Sequence, residues 1–587
     1  MKKRAAFTIS FIVGLIIALI VIFIREKRQN QFSNKEFHII YPFHNALFPP
    51  EFPPPTIKWR DNDNSIKNWE VTLYTSDKKY IIEESISEKE WRPTGAQWDS
   101  LKSLSDHRNI TLRICRGDRN SRKGIARINL RIGTVEVGAP ILYREMPLPF
   151  VYAEEHLDSM NFRLVNVGSA EPAHYVMEKF MVCGNCHSFS ADGKTIGLDF
   201  DAARRDKGGY FLEDIKDTMV FDTTNFLSYT QLQKRRTFGA FSKLSPDGRY
   251  VATTIKDRAV LKNFGYEYEE LFHTQLFFMV NGVLAIYDRE TGKLWELPGA
   301  DSEEYVHTNA FWTPDGKNII FARANALPRP LYDDELTVRD ENLIDKFVKR
   351  ERELKYDLYI IPFNEGKGGT ARPIKGASHN GKSNYFPAVS PDGKWLVFCK
   401  AENFMLLMPD SRLYIKPMKG GKPKKLKCNF YQLNSWHAWS PNSKWMVFVS
   451  KVFGPYTDMF LTHIDENGNA SIPVLIENAK GPKRVANYPE FINCKADYTF
   501  NMVYDYINIS HIQRALKAGD IDKANEYADK YISQGNICMP SEYFQLYKIF
   551  RSLERYEEAN KYLNLVMRSD SAYNARKEYT KSDNPEE

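Results

Sequence analysis

Val389-Ser390-Pro391-Asp392-Gly393-Lys394-Trp395-Leu396-Val397-Phe398 decides how the middle of this chain folds. Proline fixes φ, the aspartate caps the turn and the glycine supplies a positive φ, so residues 390–393 read as a tight turn. The apolar, aromatic run behind it reads as a strand. The pattern returns as Leu244-Ser245-Pro246-Asp247-Gly248-Arg249, Trp312-Thr313-Pro314-Asp315-Gly316-Lys317 and Trp439-Ser440-Pro441-Asn442-Ser443-Lys444. A further copy is Phe189-Ser190-Ala191-Asp192-Gly193-Lys194, and a degenerate one starts near Tyr488-Pro489-Glu490-Phe491. Third strands follow in most copies, as at residues 284–287, 358–361 and 413–415. Repeating units of this size, each with several short strands, predict the blades of a β-propeller. The expected count is six, with strands from residues 140 to 170 closing the ring.

The S-P-D-G-K signature resembles the TolB-type, WD-repeat-like propeller family, across roughly residues 180–505. The propeller domain is therefore expected over residues 140–510, with insertions before the third strands of the second and third blades. The charged stretch from Asp333 to Lys355 reads as a solvated surface helix.

Other modules flank the propeller, so the fold class expected is mainly β with a short α-helical end. Residues 37–135 alternate apolar and polar positions around Trp59 and Trp69, the pattern of strands with one buried face. With their proline-rich approach (Pro49, Pro50 and Pro53 to Pro55) they resemble a fibronectin type III or immunoglobulin-like β-sandwich. Residues 511–570 turn to helical patterning. Ala524 and Ala559 lie about one repeat apart, and the segment resembles tetratricopeptide repeats. Residues 571–587 are expected to be disordered.

Composition narrows the function classes. Hydrophobic residues are 43 % and charged residues 26 %, as in ordinary folded domains. The net charge of +7 is spread along 587 residues with no basic block, so nucleic acid is not an expected partner. Residues 5–24 form an uncharged apolar run between Lys2, Lys3, Arg4 and Arg25, Lys27, Arg28, long enough to span a bilayer as a helix. The run ends in bulky residues without a small-residue cleavage site, so residues 1–30 read as an uncleaved anchor. Both flanks are basic, so charge does not set the orientation.

The seven cysteines do not make a disulfide framework, and only Cys183 and Cys186 are neighbours. Cys183-Gly184-Asn185-Cys186-His187 is the C-x-x-C-H attachment signature and resembles that of c-type cytochromes. The resemblance covers the motif alone and implies covalent haem c. Cys183 and Cys186 would each give a thioether, His187 would be the proximal iron ligand and Gly184 would let the backbone curl against the porphyrin. Such attachment takes place outside the cytoplasm, which would put the bulk of the chain on the periplasmic side of the cytoplasmic membrane. A thioredoxin-like redox pair, half of a zinc site and a structural disulfide are the competing readings.

Counting back from Ser190 puts His187 level with Pro387 and His437 of other blades. In TolB-type propellers this position precedes the innermost strand and lies near the central channel. His437 is therefore the candidate distal ligand, with His307 as the runner-up. No G-x-S-x-G elbow and no phosphate-cradling glycine loop is present, so no hydrolase or transferase is indicated. Two functions remain open. One is a membrane-anchored haem c protein with a redox or electron-transfer role, an oxidoreductase included. The other is an envelope scaffold, meeting protein partners through propeller or tail, with a structural Cys pair. The anchor is testable at once: the protein should stay in the membrane fraction with residues 5–24 intact, and a soluble mature form starting beyond Gln29 would remove it.

Overall fold

The computed structural model describes residues 36–75, 78, 80–104, 109–117, 124–178, 184–201, 207–265, 274–329, 335–479, 481–535 and 542–568. The apolar run 5–24, Cys183 and the terminal residues 571–587 lie outside them. Among the described residues no helix is long and apolar enough to cross a membrane.

The repeat forms consecutive four-stranded antiparallel sheets. Sheet I holds Gly184–Phe189, Thr195–Phe200, Gly209–Asp214 and Phe226–Ser228. Sheet II holds Lys243–Leu244, Tyr250–Asn263, Gln275–Asp288 and Lys293–Glu296. Sheet III, bridged to II at Gly282 and Val306, holds Tyr305–Trp312, Asn318–Asn325, Asp357–Pro362 and Arg372–Pro373. Sheet IV holds Ser383–Val389, Trp395–Ala401, Arg412–Pro417 and Lys424–Lys425. Sheet V holds Asn434–Trp439, Trp445–Ser450, Asp458–His463 and Val474–Leu475. Sheet VI joins the two ends of the domain. Its first strand is Arg484–Phe491, and Ile141–Pro147, Asn161–Val165 and His174–Met177 complete it. Each first strand touches the next, and sheet VI touches sheet I, so the first strands close a ring. This is the arrangement of a β-propeller.

The turns work as their sequence implies, with one addition. In sheet I the Ser190 hydroxyl donates to Asp192 Oδ1 (2.6 Å) and accepts from the Thr195 amide (3.0 Å). Ser390 bonds Asp392 and the Trp395 amide in the same way, and Ser440 bonds Asn442 and the Trp445 amide. The hydroxyl thus ties the turn to the start of the second strand. Gly193, Gly248, Gly316 and Gly393 take φ near +70°, where any other residue would be strained. Ser443 takes +61° in their place in sheet V.

Ring closure is fixed by a buried ion cluster. Glu145, fully buried on the Ile141–Pro147 strand, accepts from Arg163 (2.8 Å) and the Gly481 amide (3.0 Å) and forms an ion pair with Arg484 (2.9 Å). Burial alone would push this carboxyl up; the amide and the two guanidiniums outweigh burial and hold it below its usual range.

Residues 37–132 form two facing sheets. One is Phe37–Tyr41, Ile57–Asp61 and Glu90–Trp91; the other runs Ala46–Phe48, Ile125–Ile132, Asn109–Arg116, Trp69–Thr75, Ile81–Ile86. Trp59 and Trp69 meet edge to face between the two sheets at 6.0 Å. Buried Asp61 takes hydrogen bonds from Trp69 Nε1 and Arg116 Nε, both at 2.9 Å. This unit docks on sheet V, where Trp445 Nε1 donates to Val135 O (3.0 Å) and Phe43 stacks on Phe453 (5.8 Å). Four helices, Ile509–Lys517, Ile521–Ser533, Tyr543–Ser552 and Tyr556–Arg568, end the described chain. Ala524 and Ala559 are both buried at the fourth position of their helices. A parallel pair, Thr218–Phe221 with Asn501–Tyr504, ties the approach to these helices to sheet I.

Within the charged stretch, the helix Glu341–Val348 lies at the surface, most of its residues exposed, with one buried stripe. It buries Ile344 and Phe347, and Phe347 packs edge to face on Phe278 of sheet II (5.2 Å). Its charges occupy the other face, the usual division of an amphipathic helix.

The closing cluster makes a stability prediction. Glu145→Ala leaves two guanidiniums without their shared carboxylate, and urea unfolding should show a loss of about 3–5 kcal/mol. A loss below about 1 kcal/mol, the range of surface pairs, would mean that the cluster does not hold the ring.

Candidate functional site

The candidate site grows out of one irregularity repeated around the ring. The first strands slip register between Gly184 and His187, Thr308 and Phe311, Tyr385 and Ala388, Ser435 and Ala438, and Asn487 and Glu490. The residue at the slip is Asn309, Phe386, Trp436 or Tyr488, each with φ between +42° and +56°. Phe241, ahead of sheet II, has φ of +60°. Such a bulge turns a side chain out of the strand's alternation and re-aims it. Positive φ in bulky residues costs on the order of 1–3 kcal/mol each, a strain that collects at binding and catalytic sites.

The re-aimed side chains border two spaces. Phe241, Trp436 and Tyr488 help to enclose a cavity of about 670 Å³. Asn309, Phe386, Trp436 and Tyr488 border a smaller one of about 30 Å³. Cys186, the matching residue of sheet I, also lines the large cavity. Leu157 and Met160, from the connection between the Ile141–Pro147 and Asn161–Val165 strands of sheet VI, and Phe544 of the third C-terminal helix add to its wall.

Charged side chains share the wall with the apolar ones, Arg144, Lys207, Arg236 and Lys548 among them. Asp199, 8 % exposed, faces the cavity and its Oδ1 has no partner. Burial pushes this carboxyl well up, against hydrogen bonds from Ser242. Arg144 donates to Gly184 O (2.6 Å), and Asp201 pairs with Lys207. Asp257 accepts from Thr237 Oγ1 and from the amides of Phe238 (2.7 Å) and Ala240 (3.2 Å), fixing the segment that presents Phe238, Ala240 and Phe241 to the cavity. Burial raises Asp257 to about 6 despite those bonds.

The residues singled out by sequence take different places. Cys186 is buried in the cavity wall, its thiol pushed up by burial and then by Asp199. His187 lies inside the first strand of sheet I, not ahead of it, which corrects the position expected from the repeat. Adjacent strand residues point to opposite faces. The imidazole is accordingly enclosed by Phe162 (5.9 Å), Phe189 (5.8 Å) and Tyr488 (5.5 Å), donating from Nε2 to Leu142 O (3.1 Å). Burial lowers it to about 3. His437, lowered by burial to about 4, sits on the smaller space with Nε2 unpartnered and Nδ1 3.9 Å from Cys399 Sγ. His307 packs on Phe321 (5.4 Å) with neither ring nitrogen bonded.

The Cys186 thiol is therefore placed beside the cavity, whereas His187 does not line it. Among the described residues no group of three His, Cys, Asp or Glu side chains is placed to hold a metal ion. Phe241, Trp436, Tyr488 and Asp199 were not singled out by sequence. The signal was present for the first two, each four residues before the serine of its turn.

No family model and no curated protein sequence matches the chain. Among solved structures it is similar to TolB from Acinetobacter baumannii, with 13 % identity and a TM-score of 0.36, covering 79 % of this chain and 84 % of that one. It is also similar to a putative TolB from Agrobacterium tumefaciens, with 14 % identity and a TM-score of 0.32, covering 60 % and 98 %. An oligogalacturonate lyase in complex with manganese shows 17 % identity and a TM-score of 0.30, covering 49 % and 65 %. Likenesses this slight leave the fold resting on the strand order above.

Asp257 carries a pH signature. Its carboxyl titrates near 6 when folded and near 3.8 when unfolded, so the folded state holds the proton more tightly. That contribution is complete below pH 4 and is lost as pH rises to 6, on the order of 3 kcal/mol in all. The stability difference between wild type and Asp257→Asn should change across this window and be flat above it; a flat difference throughout would contradict the assignment.

Proposed function

We propose that this chain is a membrane-anchored envelope protein that works as a binding scaffold, with the large cavity as its ligand site. In this reading residues 5–24 hold it in the cytoplasmic membrane and the rest lies on the periplasmic side. A six-bladed, TolB-like propeller forms the body. Residues 37–135 act as a fibronectin- or immunoglobulin-like module and residues 511–570 as tetratricopeptide-like helices, the surfaces offered to protein partners. One observation carries the reading: separate parts of the chain, the bulged first strands, the 157–160 segment and the third C-terminal helix, converge on one cavity with apolar and charged walls. A volume of about 670 Å³ lies in the range that small-molecule sites occupy.

A second reading is favoured by the Cys186 thiol in that wall. Here Cys183 and Cys186 hold haem c covalently, with His187 as proximal and His437 as distal ligand. The group would supply one-electron transfer. The reading requires His187 to leave its enclosure between Phe162 and Tyr488, so the enclosed imidazole counts against it.

The two readings separate in one preparation. Full-length protein made with a working haem-attachment system should show no haem staining after denaturation, and an unmodified peptide spanning Cys183 to His187. A haem-mass adduct on that peptide, abolished by Cys183→Ser or Cys186→Ser, would replace the scaffold reading with the haem one. The cavity's role is read separately by native mass spectrometry in detergent, where a bound small molecule should be released on unfolding.

A further inference from the structure

We infer that the large cavity takes a ligand with a planar apolar body that carries hydrogen-bond-acceptor oxygens, received by Asp199 and by the Trp436 indole. This rests on the reading of the cavity as a binding site and names the chemistry of its occupant.

Two polar atoms in the cavity wall belong to residues more than nine-tenths buried and have no partner: Asp199 Oδ1 and Trp436 Nε1. A buried polar group left unpaired costs about 1–3 kcal/mol. Such exceptions are few in folded proteins and call for a partner. The indole nitrogen has only a proton to offer. A carboxyl offers a proton when neutral and only lone pairs when ionised. Burial favours the neutral form of Asp199, and the nearby Lys243 is itself paired with Glu490. Both groups therefore present donors to the cavity. A cationic ligand would satisfy an ionised Asp199 but meet the indole proton unfavourably; an acceptor oxygen satisfies both.

The body of the ligand follows from the re-aimed side chains. Trp436 and Tyr488 enter from separate first strands, held at positive φ at the bulges, and Phe241, also at positive φ, enters from just ahead of sheet II. Aromatic faces set by backbone geometry suit a flat apolar partner by stacked or edge contacts.

The experiment uses a matched pair of fluorescent probes with the full-length protein in detergent: 1-anilinonaphthalene-8-sulfonate and N-phenyl-1-naphthylamine, which share the ring system but not the sulfonate. Wild type should bind both, one per chain. Trp436→Phe and Asp199→Leu should each weaken the sulfonate probe about tenfold, the size of one hydrogen bond to a charged acceptor, and leave the other unchanged. Asp199→Asn should keep the sulfonate affinity within about threefold, because its amide still donates. Retained binding of the uncharged probe shows that each variant is folded. If the variants weaken both probes equally, or neither, the acceptor inference is overturned while the cavity stands as a site. If wild type binds neither probe, the cavity reading itself falls.

Discussion

The pairing of Arg484–Phe491 with Ile141–Pro147 is the constraint on which the rest of the structure depends. A ring of sheets closes only if its last sheet packs on its first, and here the closing sheet is built from both ends of the domain. Glu145 and its two arginines stand at that seam, where strands far apart in sequence must find one register. The ion cluster costs desolvation, and apolar packing would stabilise the seam as well or better. What the cluster adds is selectivity of register: a slip by one residue would put a buried carboxylate against the wrong face. The cavity inherits this geometry, because Tyr488 of the closing strand lines it beside Cys186 of the neighbouring sheet I.

Much of this architecture was legible in the sequence because its causes are local. A serine, a proline, an aspartate and a glycine in fixed order leave few conformations, and the hydroxyl that bonds the fifth residue on makes the turn nearly self-contained. The alternation around Trp59 and Trp69 is equally local. The helix Glu341–Val348 was legible as a charged surface element, but its buried stripe was not. Its charges are visible in sequence, whereas the Phe278 surface that covers Ile344 and Phe347 comes from a strand more than sixty residues earlier.

The site was legible only in part. The spacing of Cys186 and His187 is a chemical signature, and their place in the repeat could be counted. Which way each side chain faces depends on the bulge, and a bulge is a relation between two strands. The repeat places Phe241 and Trp436 four residues before the serine of their turns, but nothing in the residues themselves announces a positive φ. Asp199 is harder still, an acidic residue in a strand whose meaning comes wholly from what fails to pair with it.

The parallel pair between Thr218–Phe221 and Asn501–Tyr504 has a consequence for the order of assembly. A chain made from its N-terminus presents the 37–132 sheets first and the closing strand near the end. The partner of residues 218–221 arrives later still, and the helix bearing Phe544 after that. Domains fold as units while synthesis proceeds. The cavity therefore gains its last wall only when nearly the whole chain has emerged, and any occupant enters a vessel whose other sides already stand.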